Sequence, residues 1–599
     1  MVLKLIETSH MDPEKGYLAL SHCWGPAAEM RFKLLASNID RCFESIDFHS
    51  LSQNLQDAVT VTASLGFSYI WIDSLCIMQR DNTGTETGGM AERWRNDWRT
   101  EAKKMGSVYS GAACTIASTG SATSNEGCFH KRNIQSLIPC KIGVSSVDSL
   151  TPSWIYARRD DVFDFEKSVD LAPLNTRGWV MQERLLSRRI LHFGASMIYW
   201  ECCGRSASEL NPLGYTYKTF PEDFVDNYFP DLHGRITTRG DMQRAEREGN
   251  GISWAAIEDV RRRPPPVMLD PDAPPSTQAV WQRKRGFWKN ILKPSTEPWS
   301  ADEEVLAAAR AGFRATFEKL RSAMGHAAQS PTAANRVGRD SFSQAWYDIV
   351  ETYSRGNLTA PTDKLIALKG IEDEVARATK FIYLKGLWQE HLLTDLLWLA
   401  IEGPGKRLLA ADGVPVAPTW SWASIQGTVA LDLLPDTAAL KIEETKMLVT
   451  VEHVEPSSDD PQQMSIILSG PLLPIEAPTL EGPTTWGLDL GHAGTPSARV
   501  FPDVASSDIG NMRDLFCLSF VLLDREKKGR LVPSSSEDVQ GLILRPFERG
   551  HGPGAPDKFE RVGYFTTSYI AKSGAAKKGR KALENAPVVK LCLSGWSGA

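Results

Sequence analysis

Polar residues follow two apolar runs in the N-terminal part of this chain, at positions where a strand would end. Ser21 and His22 come directly after the run YLAL, and Asp73 comes directly after the run FSYIWI. Ligands of open parallel sheets bind outside the carboxyl ends of the strands, so neighbouring strands would bring these side chains to one crevice. The alternative is that Ser21 and Asp73 cap the next helices and that His22 is a structural histidine.

A carboxylate on an apolar helical stripe is the next candidate for chemistry. The segment DWRTEAKKMGSVYSGA predicts a helix in which Glu101 shares a face with residues at steps of three or four, namely Trp98, Met105, Val108 and Ala112. A buried carboxylate is costly unless it is paired or used, and burial raises its pKa, which suits acid–base work. The alternative is a structural ion pair with Arg177 or Arg184.

The segment RGWVMQERLLSRR repeats this pattern and forms a second-choice site. Glu183 shares a predicted helical face with residues that include a tryptophan, namely Trp179, Gln182 and Leu186. Arg177 and Arg184 are close in sequence and would satisfy its charge, which favours a structural role. The second-choice site therefore consists of Arg177, Gln182, Glu183 and Arg184.

The motifs of several common sites are missing from the sequence. It has no Gly-x-Gly-x-x-Gly after a strand, no phosphate-loop Gly-x-x-x-x-Gly-Lys, no Gly-x-Ser-x-Gly and no His-Glu-x-x-His. The spacing of His192, Cys202 and Cys203 matches no zinc pattern, so we predict no metal site.

Composition limits the class of protein. The chain has 599 residues, too many for one hydrophobic core, and its 67 basic and 73 acidic residues give a net charge of −6. This balance lacks the basic excess of nucleic-acid binding, and no apolar run approaches the roughly 18 residues that cross a bilayer, so we expect neither nucleic acid nor membrane as a partner. The ten cysteines include no Cys-x-x-Cys pair, and the N-terminus lacks a signal core, which predicts free thiols and a cytoplasmic location.

The elements that position these residues alternate along the N-terminal third in the order β-α-β-α-β, which is typical of a parallel sheet covered by helices. A helix over TRGWVMQERLLSRR and a hairpin that turns at Gly194 follow. We predict an α/β domain over residues 1–215, a linker or helical insertion with a Pro-rich loop over 216–340, a helical region with a Trp-rich segment over 341–430, and a β-rich region over 431–599.

Four blocks of the N-terminal third resemble, in the same order, the fungal heterokaryon incompatibility (HET) domain. They are YLALSHCWG, LQDAVTVTASLGFSYIWIDSLCIMQRD, DWRTEAKKMGSVYSGAACTIAST and LNTRGWVMQERLLSRRILHFGASMIYWEC, within residues 1 to 205. Later pieces, YSRGNLTAPTDKLIALKGI, LWQEHLLTDLLW and APTWSWASIQG, resemble the downstream region of long HET-domain proteins. Two departures stand out: Ser52 replaces the usual proline, and Arg80 replaces the first acid after the second strand, whereas Asp81 keeps the second.

The resemblance implies fungal origin and a role in non-self recognition that leads to programmed cell death. HET domains are regarded as distant relatives of TIR domains, many of which cleave NAD with a glutamate on a helix that follows a tryptophan. Trp98 and Glu101 are similar in layout. The implied fold class is α/β, with a TIR- or flavodoxin-like parallel-sheet HET domain, a helical region and a β-rich C-terminal region.

The first functional hypothesis is an enzyme that hydrolyses the nicotinamide–ribose bond of NAD, a small-molecule substrate, without a tightly bound cofactor. The reaction passes through an oxocarbenium-like state that a carboxylate stabilises, and Glu101 would supply that charge. The other candidates would hold the substrate: Ser21, His22 and Asp73 at ribose and phosphates, Trp24 or Trp98 on nicotinamide, and Gly25 and Asp81 beside them.

Two hypotheses of other classes stay open. One is a non-catalytic signalling module that self-associates or binds another incompatibility protein, and the other is a tailoring enzyme of a fungal secondary-metabolite pathway. Release of nicotinamide from NAD by the purified protein separates the first hypothesis from these two. The region beyond about residue 440 is expected to be mainly β and to carry no catalytic group.

Overall fold

The computed structural model divides the chain into two compact units, Met1–Glu318 and Lys319–Ala599. The predicted boundaries at residues 215, 340 and 430 stay predictions, and the predicted insertion 216–340 lies outside the described residues except for Leu320 and Met324. The structure describes residues 2–26, 30–81, 89–132, 140–144, 153–157, 165–202, 205–210, 320, 324, 341–410, 412–431, 445–456, 464–476, 478–480, 486–488, 498–505, 514–523, 538–550, 555–567, 582–583 and 585–594.

A six-stranded sheet with the order β2-β1-β3-β6-β7-β8 organises the N-terminal unit. The strands of this unit are β1 (Leu18–Ser21), β2 (Ile70–Ile72), β3 (Cys114–Ala117), β4 (Cys140–Val144), β5 (Ser153–Ala157), β6 (Arg189–Phe193), β7 (Ile198–Cys202) and β8 (Arg205–Ser208). The first four strands of the sheet are parallel, and the last two are antiparallel. Strands β4 and β5 form a separate antiparallel pair.

Helices connect the parallel strands. They are α1 (Ile39–Glu44), α2 (Gln53–Ser64), α3 (Asp73–Cys76), α4 (Gly89–Glu101), α5 (Met105–Gly111) and α6 (Val180–Leu186). Short 3-10 turns lie at Thr8–His10, Pro13–Lys15, Phe48–Ser50, Ala102–Lys104 and Pro173–Thr176, and a π-helical turn lies at Glu166–Asp170.

The core of this unit explains why its strands read as nearly continuous apolar runs. All four residues of β1 are buried, as expected of a parallel strand that is covered on both faces. A hydrophobic cluster on the sheet includes residues of β1, α2, β2 and β3, among them Leu20, Leu55, Ile72 and Ile116. The predicted parallel sheet with helices is therefore confirmed, together with the predicted helix over α6 and the hairpin at Gly194, where Phe193 pairs with Ile198.

The strand order decides where a ligand would bind. Strands β1 and β2 are parallel neighbours, as predicted, with Leu20 opposite Ile72. The order of the parallel strands, 2-1-3-4 along the chain, is that of flavodoxin-like sheets, in which the connections reverse direction between the first and third strands. The crevice outside the carboxyl ends of β1 and β3 is therefore the expected binding position, and Ser21 lies at its edge.

The C-terminal unit begins with helices and short hairpins. Its helices are α7 (Ser341–Ser354), α8 (Lys369–Thr379) and α9 (Leu392–Asp395), with 3-10 turns at Pro361–Asp363, Ile366–Leu368, Gln389–His391 and Trp422–Ser424. Two-residue strands form three antiparallel pairs: β9 (Tyr383–Leu384) with β10 (Leu387–Trp388), β11 (Leu399–Ala400) with β14 (Val429–Ala430), and β12 (Lys406–Arg407) with β13 (Ile425–Gln426). The tryptophans of this segment are fully buried. Together with helices α7, α8 and α9, they confirm a helical, Trp-rich region.

The last part of the chain is a β structure, as predicted. Its strands are β15 (Thr445–Met447), β16 (Thr450–Pro456), β17 (Met464–Ile475), β18 (Thr479–Leu480), β19 (Trp486–Leu488), β20 (Ala498–Pro502), β21 (Leu515–Leu523), β22 (Asp538–Glu548), β23 (Asp557–Thr566) and β24 (Val588–Leu593). Strands β17, β21, β22, β23 and β24 pair in a closed ring. An odd number of strands cannot alternate direction around a ring, and the pair β23–β24 is accordingly parallel.

A buried arginine joins the barrel to the Trp-rich segment within this unit. Arg561 of β23 is fully buried and makes two hydrogen bonds of 3.0 Å to the carboxylate of Asp503. It also donates to the carbonyl groups of Leu396 and Trp398, and its guanidinium lies 3.6 Å from the ring centroid of Trp398. One side chain therefore satisfies groups from separate parts of the sequence.

Gly120, which follows β3, lies in close contact with the backbone of the turn between β6 and β7. The amide of Gly120 donates to the carbonyl of Phe193 at 2.9 Å, and a Cβ added at Gly120 would lie 2.4 Å from the backbone nitrogen of Ala195. We expect Gly120→Ala to destabilise the protein by about 1–3 kcal/mol because backbone must move to admit the methyl group. Urea unfolding measures the loss.

The matched control for this variant is Gly89→Ala. A Cβ added at Gly89, at the start of α4, meets no atom within 4 Å. Its free energy of unfolding should stay the same or rise by less than about 1 kcal/mol, since alanine is the better helix former. Equal effects of the two substitutions would contradict the steric explanation.

Candidate functional site

A short hydrogen bond joins the carboxyl end of β1 to helix α6. Ser21 ends β1 and is 3% exposed, and Glu183 lies on α6 and is 4% exposed. The Ser21 hydroxyl donates to Glu183 Oε2 at 2.5 Å. This distance is at the short end for a hydroxyl on a carboxylate, where hydrogen bonds are strongest.

The environment of Glu183 places its ionisation near neutral pH. Burial raises the pKa of Glu183 to about 7, and the nearby Asp73 carboxylate acts in the same direction. The positive charge of Arg177 and hydrogen bonds from Ser21 and Tyr109 oppose this rise in pKa. A carboxyl group in this state exchanges a proton readily at pH 7, as acid–base catalysis requires.

A second polar group lies beside this pair. Asp73, the first residue of α3, accepts hydrogen bonds from Trp24 Nε1 at 2.9 Å and from the amide of Ser74 at 2.7 Å. The Asp73 carboxylate is 3.9 Å from Nδ1 of His22, whose backbone carbonyl accepts a hydrogen bond from Arg177. The crevice therefore brings together residues from β1, α3 and the segment before α6.

The His22 imidazole is buried without a hydrogen-bond partner. The side chain is 2% exposed, and neither ring nitrogen has a partner. Burial lowers the pKa of His22 to about 4, with Asp73 raising it and Arg177 lowering it. The ring is therefore neutral at pH 7, and its unsatisfied nitrogens are the kind of group that a bound polar molecule would satisfy.

A narrow cleft with a free volume of only about 10 Å³ lies beside the Ser21–Glu183 pair. Its polar wall consists of Ser21, Thr115, Asn175, Glu183, Arg184 and His192. Pockets for drug-sized ligands usually measure about 300–1,000 Å³, so this cleft must widen to admit a dinucleotide.

Charged groups form a buried network under the cleft. Arg184 makes two hydrogen bonds to the Glu201 carboxylate, at 2.8 and 3.2 Å, and an ion pair of 2.7 Å with Asp170. Glu201 also contacts His192 Nε2 at 2.9 Å, and His192 Nδ1 contacts the hydroxyl of Thr119 at 3.0 Å. These acids raise the pKa of Arg184. The network anchors helix α6 through this side chain.

The structure corrects the expected position of Glu101. Its side chain is 29% exposed and forms a 2.8 Å ion pair with Lys104. Like His22 and Asp73, it is not among the residues that line the cleft. The buried residues Ala102, Met105 and Tyr109 follow one another at steps of three and four, so Glu101 lies beside the buried face. The buried face continues through Ala102, so the expectation of a buried carboxylate at Glu101 is wrong.

The structure also corrects the expected partners of the two glutamates. Arg184, which was expected to satisfy Glu183 or Glu101, pairs with Glu201 and Asp170. Arg177 acts on Glu183 through its charge. Gln182, which precedes Glu183 on α6, is fully buried.

The remaining predicted binding residues lie in different surroundings. Trp98 packs edge-to-face on Trp179, with 5.7 Å between ring centroids, so Trp24 is the tryptophan that contacts the crevice. Gly25 has a φ of +74°, which favours glycine, and an added Cβ would lie 2.8 Å from Thr123 Cβ. Asp81 is half-buried in the segment that follows α3.

Sequence reasoning missed two residues of the site. Tyr109 donates to the carbonyl of Leu20 at 3.0 Å and also interacts with Glu183, and it lies four residues after Met105 on the buried face of α5. This spacing of four places Tyr109 on the same helical face as Met105, so the sequence could have identified it as buried. Glu201 had no such signal, because only the β6–β7 hairpin brings it to His192.

The opposite pKa shifts of His22 and Glu183 make stability depend on pH in opposite ways. The pKa of His22 falls from 6.5 to about 4, so the folded protein loses stability as pH falls through this window. The pKa of Glu183 rises from 4.5 to about 7, so the folded protein loses stability as pH rises through that window. The two contributions largely cancel between these limits.

Removing His22 should expose the contribution of Glu183. We compare the free energy of unfolding of His22→Gln with that of the native protein at each pH. The difference should favour the variant by about 2 kcal/mol more at pH 4.5 than at pH 7, because the variant has no buried imidazole that resists protonation. Chemical unfolding at the two pH values measures this. His49→Gln, at an exposed position, is the control, and an identical pH dependence of His22→Gln and the native protein would refute the assignment.

In the described part of the chain, no group of three or more His, Cys, Asp or Glu side chains is arranged to hold a metal ion. None of the helices described there is long and apolar enough to cross a membrane.

Comparison with known proteins bears on the N-terminal unit. Residues 17–183 match the family model described as Heterokaryon incompatibility protein (HET). No curated protein and no solved structure matches the chain. The matched residues run from the start of β1 to Glu183 and include the Ser21–Glu183 pair. Residues 17–183 of this chain are therefore a domain of the HET family.

Proposed function

We propose that this protein acts in non-self recognition and programmed cell death by hydrolysing the nicotinamide–ribose bond of NAD. The observation that carries the proposal is the buried Ser21–Glu183 pair, which stands at the carboxyl ends of β1 and β3 where flavodoxin-like sheets bind nucleotides. The HET domain itself supports the role in heterokaryon incompatibility.

The chemistry of the reaction needs a negative charge near the sugar. When the bond between nicotinamide and ribose breaks, its electrons return to the pyridinium ring, and nicotinamide leaves as a neutral molecule. The ribose then carries positive charge in an oxocarbenium-like state, which a carboxylate in a water-poor site stabilises. Glu183 meets this need because it is buried and because its pKa near 7 leaves much of it ionised at neutral pH.

Glu183 replaces Glu101 as the proposed catalytic carboxylate. Glu101 is partly exposed and neutralised by Lys104. The choice between the two carboxylates rests on burial and on contact with the crevice.

The neighbouring residues divide the binding of the substrate. The charge of Arg177 acts on both Glu183 and His22, and it would attract the diphosphate. The neutral His22 and the Asp73 carboxylate would accept hydrogen bonds from ribose hydroxyls. The half-buried Trp24, held by Asp73, would stack on nicotinamide.

A non-catalytic signalling module is the second candidate, and the closed cleft favours it. Ser21, His22 and Glu183 are each less than 5% exposed, which also suits a structural network in a domain that works by self-association or by binding another incompatibility protein. A tailoring enzyme of secondary metabolism would use the same cleft for a different metabolite.

Nicotinamide release tests the proposal. The purified full-length chain is incubated with NAD, and nicotinamide and ADP-ribose are measured by chromatography. We expect equal amounts of both products after many turnovers, and a rate of first-turnover nicotinamide release that rises with pH toward a plateau above about pH 8 as Glu183 ionises. If no nicotinamide forms at any pH while the protein is folded, the enzymatic proposal fails and the signalling module is favoured.

A further inference from the structure

We propose that Ser21 is a nucleophile that takes the glycosyl group from the substrate and forms an O-glycosidic bond through its Oγ atom. This inference rests on the proposed NAD hydrolysis. It goes beyond that proposal because it gives Ser21 a part in bond formation, whereas a positioning role would only orient Glu183.

The geometry of Ser21 is that of an activated hydroxyl. Its proton points to Glu183 Oε2 over a distance of 2.5 Å, and both residues line the cleft. A nucleophile within hydrogen-bond reach of a base, with the base oriented by a third group, is the arrangement found in covalent catalysis. Here Arg177 and Tyr109 are the groups that act on the base.

The other hydroxyl groups around the cleft do not share this arrangement. Thr115 Oγ1 lies 2.6 Å from the hydroxyl of Ser187, and Thr119 Oγ1 lies 3.0 Å from Nδ1 of His192. Among these three hydroxyl-bearing positions, only Ser21 is seen to donate to a carboxylate. Ser21 also stands at the carboxyl end of β1, beside the cleft.

The first step transfers the sugar to the enzyme. Ser21 Oγ attacks C1′ of the ribose, the bond from C1′ to the nicotinamide nitrogen breaks, and its electron pair neutralises the pyridinium ring. The proton of the Ser21 hydroxyl passes to Glu183. The products are an ADP-ribosyl O-glycoside of Ser21, neutral nicotinamide and a protonated Glu183.

The second step releases the sugar to water. A water molecule attacks C1′, the bond from C1′ to Oγ breaks, and Glu183 returns its proton to the Ser21 oxygen. The water gives its surplus proton to solvent. The sum of both steps is NAD plus water giving ADP-ribose, nicotinamide and one proton, and no oxidant or other reactant is needed.

This sequence predicts that the adduct depends on pH. An alkoxide leaves poorly, so the second step needs protonated Glu183, and at alkaline pH the carboxyl group loses the proton that it received. The groups that face Glu183 are Arg177 from the segment before α6, Asp73 from α3, Tyr109 from α5 and Ser21 from β1. The adduct should therefore accumulate more at pH 9 than at pH 6.

Mass spectrometry of the peptide that contains Ser21 tests the inference. The full-length chain is incubated with NAD at pH 6 and pH 9, quenched with acid and digested. We expect one ADP-ribosyl group on Ser21, in a larger fraction of molecules at pH 9. Ser21→Ala should lose the adduct and release nicotinamide at least about tenfold more slowly, and Ser21→Cys should accumulate a more stable thioglycoside.

The controls separate this inference from the proposed function. Ser118→Ala removes another buried hydroxyl, just beyond the end of β3, and should keep both the adduct and the rate. Nicotinamide release without any modification of Ser21 at either pH overturns the nucleophile and leaves the proposed hydrolysis intact. If the native protein carries the adduct but Ser21→Ala releases nicotinamide at an undiminished rate, Ser21 is not on the reaction pathway. Absence of nicotinamide release overturns both proposals.

Discussion

Glu183→Gln is expected to reduce nicotinamide release from NAD by about 10²–10⁴-fold while the protein stays folded. The amide keeps the size of the side chain and can still accept the hydrogen bond from Ser21, but it carries no charge to stabilise the oxocarbenium-like state. Chromatographic measurement of nicotinamide at saturating NAD checks the rate. A variant that keeps the native rate would end the catalytic assignment of Glu183.

The same substitution is expected to stabilise the protein at alkaline pH. The pKa of Glu183 is raised from 4.5 to about 7, so ionising this buried group costs the folded state about 3 kcal/mol at pH 8, and glutamine has no such cost. Near pH 4.5 the carboxyl group is protonated in the folded state, and the difference should shrink to less than about 0.5 kcal/mol. Thermal and urea unfolding at both pH values measure this.

Glu101→Gln is the matched control for both measurements. Glu101 is partly exposed and paired with Lys104 on the surface, an interaction that is worth less than about 1 kcal/mol. We expect nearly native nicotinamide release and no gain of stability at pH 8. If Glu101→Gln loses activity and Glu183→Gln does not, the catalytic carboxylate lies on α4 rather than on α6.

Arg561→Met should cause the largest loss of stability in the C-terminal unit, about 3–5 kcal/mol. The substitution leaves the Asp503 carboxylate buried without its cation, and it frees the carbonyl groups of Leu396 and Trp398 that Arg561 holds. Buried acceptors without donors carry their full desolvation cost. Urea unfolding measures this loss.

Two further variants test the cause of this loss. Arg377→Met removes an exposed arginine that pairs with Glu374 on α8, and it should change stability by less than about 0.5 kcal/mol. The double variant Arg561→Met with Asp503→Asn should be more stable than Arg561→Met alone, because no uncompensated charge remains buried. A double variant that is less stable than the single one would show that packing, rather than the charge of Asp503, dominates.

The sequence by itself determined the class and order of the elements near the site. Short apolar runs that alternate with helical patterns favour strands that are covered on both faces, and parallel strands need helices between them, so β1 and β2 were predictable as parallel neighbours. Their polar ends, at Ser21 and Asp73, followed from the same pattern. The β-rich C-terminal region was predictable as well, because its short runs and turns have a local signature.

Tertiary structure alone decided which carboxylate lies in the crevice. Both glutamates stand on tryptophan-bearing stripes, and an ideal helical repeat gave Glu101 the more apolar surroundings. The buried face runs through Ala102, Met105 and Tyr109, one position away from the face that contains Glu101, and periodicity alone does not decide between two adjacent faces. Glu183, in contrast, is buried and accepts a hydrogen bond from Ser21, which is 162 positions away in the sequence.

The partners of the buried charges were also beyond the reach of the sequence. Arg184 pairs with Glu201 because the β6–β7 hairpin folds back against α6, and Arg561 pairs with Asp503 because β20, which directly precedes Asp503, pairs with β23. Local patterns report the faces of helices and strands, since those depend on nearest neighbours along the chain. The pairing of charges depends on distances between elements, which only the packed core sets.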